Sequence, residues 1–301
     1  MLSVLIPVYQ WDCRRLVGEL LRQGRQLACP FEIRLYDDGS QDGCRRLNRE
    51  LLNQPEVVYW EAPVNLGRAG IRNKLAEEAC YEWLLFIDAD SGVVRDDFLA
   101  VYVAHAISPG IVCGGRVYGS RPPADKSYYL HWLFGRRRES YGADHRRRDP
   151  LLGFMTNNYM IARSLQQAFP FHASLRTYGH EDTLLGAELK QAGISVRHID
   201  NPLRHEGLET TDIFLQKQQA AIRNLCQLSR SHPSLNTRLL FAVRLLQRLR
   251  LLSPCYYLLR PLAGWLSHRL QQQPGTLLWL DLLKIYWLAD SMRKPVISAD
   301  S

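Results

Sequence analysis

The sequence predicts an α/β fold, a mostly parallel sheet flanked by helices, followed by a helical C-terminal extension. Over the first 118 residues, short apolar runs alternate with amphipathic stretches, which is typical of a parallel sheet covered by helices. From about residue 209 onward, helical periodicity dominates. The 301 residues, 46% of them hydrophobic, suffice for a sizeable core. We therefore expect two regions, residues 1–208 and residues 209–301.

The individual elements follow from the apolar runs and their spacing. Residues 119–150 contain Pro122-Pro123 and two arginine triplets, and we expect a long functional loop or lid there. An apolar run at 154–161 and a short segment at 202–205 come after it. Strands are predicted at 3–8, 32–36, 57–60, 83–88, 111–117 and 195–199. Helices are predicted near 12–27, 43–53, 68–80, 96–107, 181–192, 209–230, 235–252, 255–272 and 276–292.

The charge is concentrated in the last third of the chain. Residues 210–301 hold 12 Lys and Arg against 4 Asp and Glu, which accounts for the whole net charge of +8. An anionic membrane surface or nucleic acid would explain this balance, and a helical subdomain with a solvated basic face is the plain alternative. No segment reaches the roughly 20 apolar residues that a membrane span requires.

Cysteine usage and the N-terminus indicate a cytoplasmic setting. The seven cysteines are scattered, odd in number and without a Cys-x-x-Cys pair, which favours reduced thiols over disulfides or a zinc site. The first residues are expected to form a strand and not a secretory signal, because no basic segment precedes them.

Polar side chains follow four of the predicted strands where each one ends. Ligands of open α/β sheets bind at the carboxyl ends of the strands, so these residues are candidates for a ligand site. The candidates are Pro7 and Tyr9 at the end of the first strand, Asp37 and Asp38 at the end of the second, Arg68 and Arg72 beyond the third, and Asp88 and Asp90 at the end of the fourth.

Asp88 and Asp90 are candidate metal ligands. They flank one alanine directly after the apolar run 83–87, and because strand side chains alternate, both carboxylates are expected on one face. Carboxylate oxygens suit Mg²⁺ or Mn²⁺. His205 is a candidate third ligand. The alternatives are an ordinary strand-ending turn for the aspartates and a structural role for the histidine.

Two helix starts carry further candidates. Arg68 and Arg72 are four residues apart and share one face of a helix, where guanidinium groups near the N-terminus suit a diphosphate. Glu181 and Asp182 open a later helix. An acid in a first turn commonly caps the helix, but Asp182 is also a candidate general base that the helix N-terminus would keep ionised.

Together these residues resemble family 2 glycosyltransferases of the GT-A fold over about residues 1–208. The segment Tyr178–Leu189 also looks like a C-terminal motif of galactosyl- and N-acetylgalactosaminyltransferases. Gln10 departs from the family pattern, in which asparagine is usual. The resemblance rests on Ser3–Tyr9, Asp37–Ser40, Asn65–Asn73, Asp88–Asp90 and Glu181-Asp182.

The resemblance implies roles for these residues. Asp182, with Glu181, would be the base of an inverting transfer. Asp88, Asp90 and His205 would hold Mg²⁺ or Mn²⁺, and residues within 113–119 and 153–158 would help to select the sugar. A nucleotide sugar, typically a UDP-sugar, would be bound by Pro7, Tyr9, Asp37, Asp38, Arg68, Arg72 and Asp88.

The expected activity is transfer of a hexose or N-acetylhexosamine to a hydroxyl of a glycan or lipid-linked glycan in cell-surface polysaccharide synthesis. Residues 1–208 would be catalytic, 119–150 would lie on the acceptor side, and 235–292 would contact an anionic membrane; nucleic acid is not expected. A polyprenyl-phosphate glycosyltransferase is one alternative. A sugar nucleotidyltransferase or NAD-dependent dehydrogenase would need a glycine-rich loop after the first strand. A non-enzymatic binding module would explain the basic tail but not the carboxylates.

Overall fold

The computed structural model of the protein describes residues 1–107, 110–151, 153–172, 179–233, 235, 237–272 and 275–294. The chain divides into two compact units. The first comprises Met1–Ser120, Gly135–Arg176 and Glu181–Gly207, and the second comprises Arg121–Phe134, Thr177–His180 and Leu208–Ser301.

The first unit contains two sheets. The larger one has seven strands in the order β3-β2-β1-β4-β8-β6-β9. Its first four strands run parallel, and β8 runs antiparallel to both of its neighbours. The smaller one has three strands in the order β5-β10-β7. The strands are β1 Leu2–Val8, β2 Phe31–Asp37, β3 Val57–Glu61, β4 Trp83–Ile87, β5 Ser91–Val93, β6 Ile111–Cys113, β7 Arg116–Val117, β8 Asn158–Ala162, β9 Val196–His198 and β10 Leu203–His205.

Thirteen α-helices lie in the described residues, with 3₁₀ turns at Glu50–Asn53 and Lys126–Tyr128. None of these helices combines the length and hydropathy that a membrane span requires. They are α1 Arg14–Gly24, α2 Asp42–Arg49, α3 Gly67–Glu78, α4 Phe98–Ala104, α5 Tyr129–Arg138, α6 Ala143–Arg147, α7 Arg163–Ala168, α8 Glu181–Gln191, α9 Thr211–Ser231, α10 Arg238–Arg248, α11 Leu252–Leu259, α12 Ala263–Gln272 and α13 Leu278–Arg293.

The large sheet is buried on both faces. Along β4, Leu84 and Phe86 belong to one hydrophobic cluster, while Leu85 and Ile87 belong to another. Alternate side chains therefore enter separate cores, and each such side chain contributes about 1.5–3 kcal/mol by leaving water. This confirms the predicted α/β fold with its mostly parallel sheet.

Several predicted boundaries are wrong. The strand predicted at 111–117 breaks at Gly114-Gly115, and its two halves, β6 and β7, belong to different sheets. Gly115 has a φ of +90°, which ends the extended chain at this point. The helix predicted at 255–272 divides into α11 and α12 around Pro261, since proline lacks the amide hydrogen that a helix interior needs. The helix predicted at 96–107 is only Phe98–Ala104.

Residues 119–150 are largely helical and not the loop that we expected. Tyr129–Arg138 and Ala143–Arg147 form α5 and α6. Arg146, in the second arginine triplet, is only 3% exposed. Its guanidinium donates hydrogen bonds to the carbonyls of Cys113, Gly114 and Ile199, so it fixes the end of β6. Arg146 therefore has a structural role, because it holds these backbone carbonyls together.

Candidate active site

The turn after β2 is shaped by Asp37. Its Oδ1 accepts hydrogen bonds from the backbone N–H groups of Gly39 at 3.1 Å and Ser40 at 2.7 Å. The hydroxyl oxygen of Ser40 in turn accepts a hydrogen bond from the N–H of Gln10. The Asp37 side chain has no solvent exposure, and its Oδ2 finds no hydrogen-bond partner among the described residues. Asp37 therefore shapes the turn from inside the protein.

Asp38 joins the ends of β2 and β3. Its Oδ1 accepts the N–H of Leu66 at 2.6 Å, and its carbonyl accepts the side-chain amide of Asn65 at 2.6 Å. Burial raises the pKa of Asp38 above its ordinary value, although the N–H groups of Leu66 and Gly67 oppose this shift. Asp38 is buried, whereas Tyr9 at the end of β1 is 59% exposed. Its ring is therefore accessible to a ligand.

Three arginines surround Asp88. Nη2 of Arg72 lies 2.6 Å from Oδ1, Nη2 of Arg116 lies 3.2 Å from Oδ2, and Nη2 of Arg68 lies 4.0 Å from Oδ2. The Arg72 side chain is 3% exposed, whereas that of Arg68 is 42% exposed. Arg68 is therefore the most exposed of the three guanidinium groups and the one best placed to pair with a diphosphate.

The structure does not group Asp88, Asp90 and His205 into one metal site. The strand β4 ends at Ile87 and the chain turns at Ala89-Asp90, so strand alternation no longer aligns the two carboxylates. Asp88 is held by arginines instead. Across the described residues, no three or more His, Cys, Asp or Glu side chains converge so as to hold a metal ion.

Asp90 and His205 do come together. The small sheet pairs His205 with Ser91, the residue after Asp90, and Nδ1 of His205 lies 3.4 Å from Oδ2 of Asp90. The other oxygen, Oδ1, is buried and has no hydrogen-bond partner among the described residues. A Cβ on Gly207 would lie 2.5 Å from Oδ2 of Asp90, so the chain needs glycine there. One oxygen and one imidazole thus form a partial site that fits a divalent cation.

The pKa of Asp90 is lowered. Burial opposes this shift, but the hydrogen bond with His205 and the attraction of Arg116 and Arg68 outweigh it. Asp90 is therefore ionised at neutral pH, as a ligand of a hard cation must be.

Asp182 lies at the start of α8, and its pKa shifts in the opposite direction to that of Asp90. Burial raises its pKa, with a contribution from the charge of Glu139, against the N–H of Thr183 and the attraction of Arg68. Burial thus outweighs the groups that lower the pKa of Asp182, while its ionisation at neutral pH stays a prediction. The preceding Glu181 places Oε1 3.6 Å from Nε of Arg68. The positive charge of Arg68 acts to lower the pKa of both Asp90 and Asp182. Tyr178, which opens the motif quoted above, lies outside the described residues.

Three site residues are not singled out by the sequence, although two of them, Arg116 and Tyr118, fall within the segment 113–119 expected to help select the sugar. Arg116 bridges Asp88 and Glu139, at 3.2 and 3.4 Å. The hydroxyl of Tyr118 donates a hydrogen bond to Glu139, and its ring packs against His205 with centroids 5.0 Å apart. An arginine inside an apolar run was the available signal for Arg116, whereas Glu139 comes from the segment that we took for a loop.

Known proteins that resemble this chain indicate one family. Residues 3–168 match the family described as Glycosyl transferase family 2. Two curated relatives are both described as uncharacterized glycosyltransferases. One, YfnE of Bacillus subtilis, is 26% identical over 243 residues, covering 65% of this chain and 62% of that protein. The other, from Haemophilus influenzae, is 30% identical over 99 residues, covering 32% and 38%. The chain thus spans less than two thirds of either relative.

Solved structures with this fold include two glycosyltransferases. The mannosyltransferase PcManGT from Pyrobaculum calidifontis, in complex with GDP-Man and Mn²⁺, is 17% identical with a TM-score of 0.56, covering 96% of this chain and 85% of that one. Glucosyl-3-phosphoglycerate synthase from Mycobacterium tuberculosis, in complex with Mg²⁺ and UDP, is 18% identical with a TM-score of 0.51, covering 76% and 79%. These likenesses confirm the GT-A fold.

Proposed function

The chain belongs to glycosyl transferase family 2 and is a glycosyltransferase, and we propose that it performs an inverting, metal-dependent transfer of a hexose or N-acetylhexosamine from a UDP-sugar. The observation that carries the proposal is the cluster around Arg68. Arg68, Arg72 and Arg116 lie within 4.0 Å of Asp88, and the charge of Arg68 also acts on ionised Asp90 and on Asp182, whose pKa is raised. Transfer from a nucleotide sugar needs each of these charges.

The donor would lie along the carboxyl ends of β1 to β4. The exposed ring of Tyr9, beside Pro7, would stack on the base, and the Asp38 loop would define that pocket. Arg68 and Arg116 would pair with the diphosphate. The related structures hold GDP-Man with Mn²⁺ and UDP with Mg²⁺, which supports a nucleotide donor and a divalent ion.

Asp90 and His205 would hold Mg²⁺ or Mn²⁺. Such ions complete their coordination with water and substrate phosphate oxygens, so two protein ligands suffice. When bound, the ion would neutralise charge that builds on the departing diphosphate. Asp88 has a different task in our proposal: it holds the three arginines in position beneath the diphosphate.

The base of the reaction would be Asp182. The proton of the acceptor hydroxyl passes to the Asp182 carboxylate, the acceptor oxygen bonds to the anomeric carbon, and the bond from that carbon to the diphosphate oxygen breaks on the opposite face. A raised pKa makes Asp182 a stronger base than an exposed aspartate. Arg68 and Arg116 stabilise the leaving diphosphate electrostatically. Glu181 would orient Arg68.

For the acceptor, we propose a hydroxyl of a glycan or lipid-linked glycan in cell-surface polysaccharide synthesis, at the cytoplasmic face of a membrane. Residues 1–208 would catalyse the transfer, with 119–150 on the acceptor side. The basic composition of residues 210–301 supports a membrane location. A polyprenyl phosphate acceptor is the alternative that the same features would fit.

A donor screen of the purified protein tests the proposal. UDP- and GDP-sugars are offered with and without Mn²⁺, and thermal stabilisation and slow hydrolysis are measured. One UDP-sugar should stabilise the protein only when Mn²⁺ is present, by about 2.7 kcal/mol at one hundred times its Kd. Asp90→Asn should lose this response, and Asp96→Asn, a highly exposed acid, should keep it. An Asp90→Asn protein that responds like the wild type would refute the assignment.

A further inference from the structure

Large apolar side chains are exposed in unusual density on the C-terminal helices. Eight such side chains lie within 25 residues, while the described part of residues 1–207 spreads the same number over its whole length. Contiguous exposed apolar surface marks an interaction site. We name this segment the apolar stripe; its members are Phe241, Leu245, Leu249, Leu251, Tyr257, Leu258, Leu262 and Trp265, exposed by 42 to 67%.

Helix α10 presents apolar residues on two sides. Leu240 and Val243 are buried in the protein, whereas Phe241 and Leu245 are exposed. The two exposed residues are four apart, and Leu249 continues the spacing just past the helix end, so all three share one face. A helix that folds only against its own protein has no reason to keep a second apolar face.

The next two helices and the link between them hold further members of the apolar stripe. Helix α11 packs against α10, and its exposed Leu258 is followed at intervals of four and three by Leu262 and Trp265. The guanidinium of Arg269 lies 5.5 Å from the Trp265 ring. Tryptophan beside arginine is typical of side chains that sit at the boundary between lipid tails and headgroups.

The charge around the apolar stripe has one sign. Residues 213–280 contain nine Lys and Arg and no Asp or Glu. Five of the arginines are exposed and lie between or beside the apolar side chains: Arg238, Arg248, Arg250, Arg260 and Arg269.

We propose that the apolar stripe and these arginines bind the surface of an anionic phospholipid bilayer. The leucine and aromatic side chains would enter the headgroup boundary, while the arginines would extend to lipid phosphates. A second copy of the chain fits less well, because two identical faces would bring like charges together. Nucleic acid would use the arginines but leave the leucines in water.

Vesicle co-sedimentation of the full chain tests this proposal. Wild type should bind phosphatidylglycerol-containing vesicles, bind phosphatidylcholine vesicles much more weakly, and lose affinity as salt is raised. Since each arginine near an anionic surface contributes about a factor of five to binding, Arg248→Gln with Arg260→Gln should weaken it about 30-fold. Phe241→Ser with Leu245→Ser should weaken it as well.

The matched controls change similar side chains in the first unit. Arg46→Gln with Arg197→Gln removes the same charge from exposed positions, and Leu52→Ser removes an exposed leucine; both should leave vesicle affinity within about twofold of wild type. Equal losses in the control and stripe variants, or no vesicle binding at all, would overturn the proposal. So would a wild-type dimer that Phe241→Ser with Leu245→Ser converts to monomer, or oligonucleotide binding with no vesicle binding. Donor hydrolysis, measured alongside, reports on the proposed catalysis separately.

Discussion

Asp90 and Asp182 are both partly buried carboxylates that Arg68 attracts, yet their pKa values shift in opposite directions. The hydrogen bond with His205 and the positive charge of Arg116 lower the pKa of Asp90 and outweigh the effect of burial. For Asp182, burial and the charge of Glu139 raise the pKa, and they outweigh the attraction of Arg68. Burial raises the pKa of both carboxylates, so the neighbouring groups decide the direction in which each pKa shifts.

This difference separates two chemical tasks within one site. An ionised carboxylate suits a divalent cation, and a carboxylate of raised pKa suits proton transfer. Substitution of Asp90 should therefore weaken metal-dependent donor binding, whereas substitution of Asp182 should slow the transfer step.

The largest expected effect is that of Asp182→Asn. Removal of a general base typically costs a factor of 10² to 10⁴ in rate, so kcat for sugar transfer should fall by about that much. Donor affinity with Mn²⁺ should stay within a few-fold of wild type, in contrast to Asp90→Asn. Steady-state transfer assays and donor titration followed by thermal shift measure the two quantities. Equal loss of donor binding in both variants would erase the distinction between the two carboxylates.

The same substitution should raise the free energy of unfolding at pH 7. Because the pKa of Asp182 is higher in the folded than in the unfolded protein, its contribution to stability is full at pH below the unfolded value and is lost as pH rises through the folded value. At pH 7 the ionised side chain is therefore destabilising, and asparagine removes that charge. The difference in Tm between variant and wild type should shrink toward acid pH.

Gly207→Ala tests the Asp90 side of the comparison. The new Cβ would lie 2.5 Å from Oδ2 of Asp90, so the carboxylate must shift from the position in which it contacts His205. Displacing a ligand's support typically costs 10- to 100-fold in metal affinity, measured here as the Mn²⁺ concentration that half-saturates donor binding. Gly18→Ala, an exposed helix position where the added Cβ has nothing within 4 Å, is the control. Unchanged Mn²⁺ dependence in Gly207→Ala would separate Asp90 from the metal.

Much of the site could be read from the sequence because strand ends are local features. The apolar run before Asp88 predicts a buried strand, and the topology of parallel sheets then brings that strand's end to the same edge of the sheet as Asp38 and Arg68. Pairing of Asp90 with His205 was also expected, although the small sheet that produces it was not. That sheet has strands of two or three residues, too short for periodicity to reveal.

What the sequence did not reveal depends on tertiary partners. Asp88 was expected to join Asp90, but Arg72 and Arg116 determine its role, and Arg116 comes from a strand beyond a glycine break. The raised pKa of Asp182 arises from burial, which the acid-rich start of α8 does not show. Arg146 belongs to a triplet that reads as a solvated loop, yet it is enclosed by carbonyl groups from β6 and the end of β9.

Glu139→Gln gives the smallest expected effect and the most direct test of the contrast. The Glu139 charge raises the pKa of Asp182, and Glu139 also engages Arg116. Removing that charge lowers the pKa of Asp182 and so favours its ionised form. The acid limb of the profile of kcat/KM against pH should therefore move to lower pH. Glu188→Gln is the control: Glu188 lies on α8, as Asp182 does, but contacts His172. This substitution should leave the acid limb in place. If the Glu139→Gln limb stays where it is in wild type, the titrating base is not Asp182.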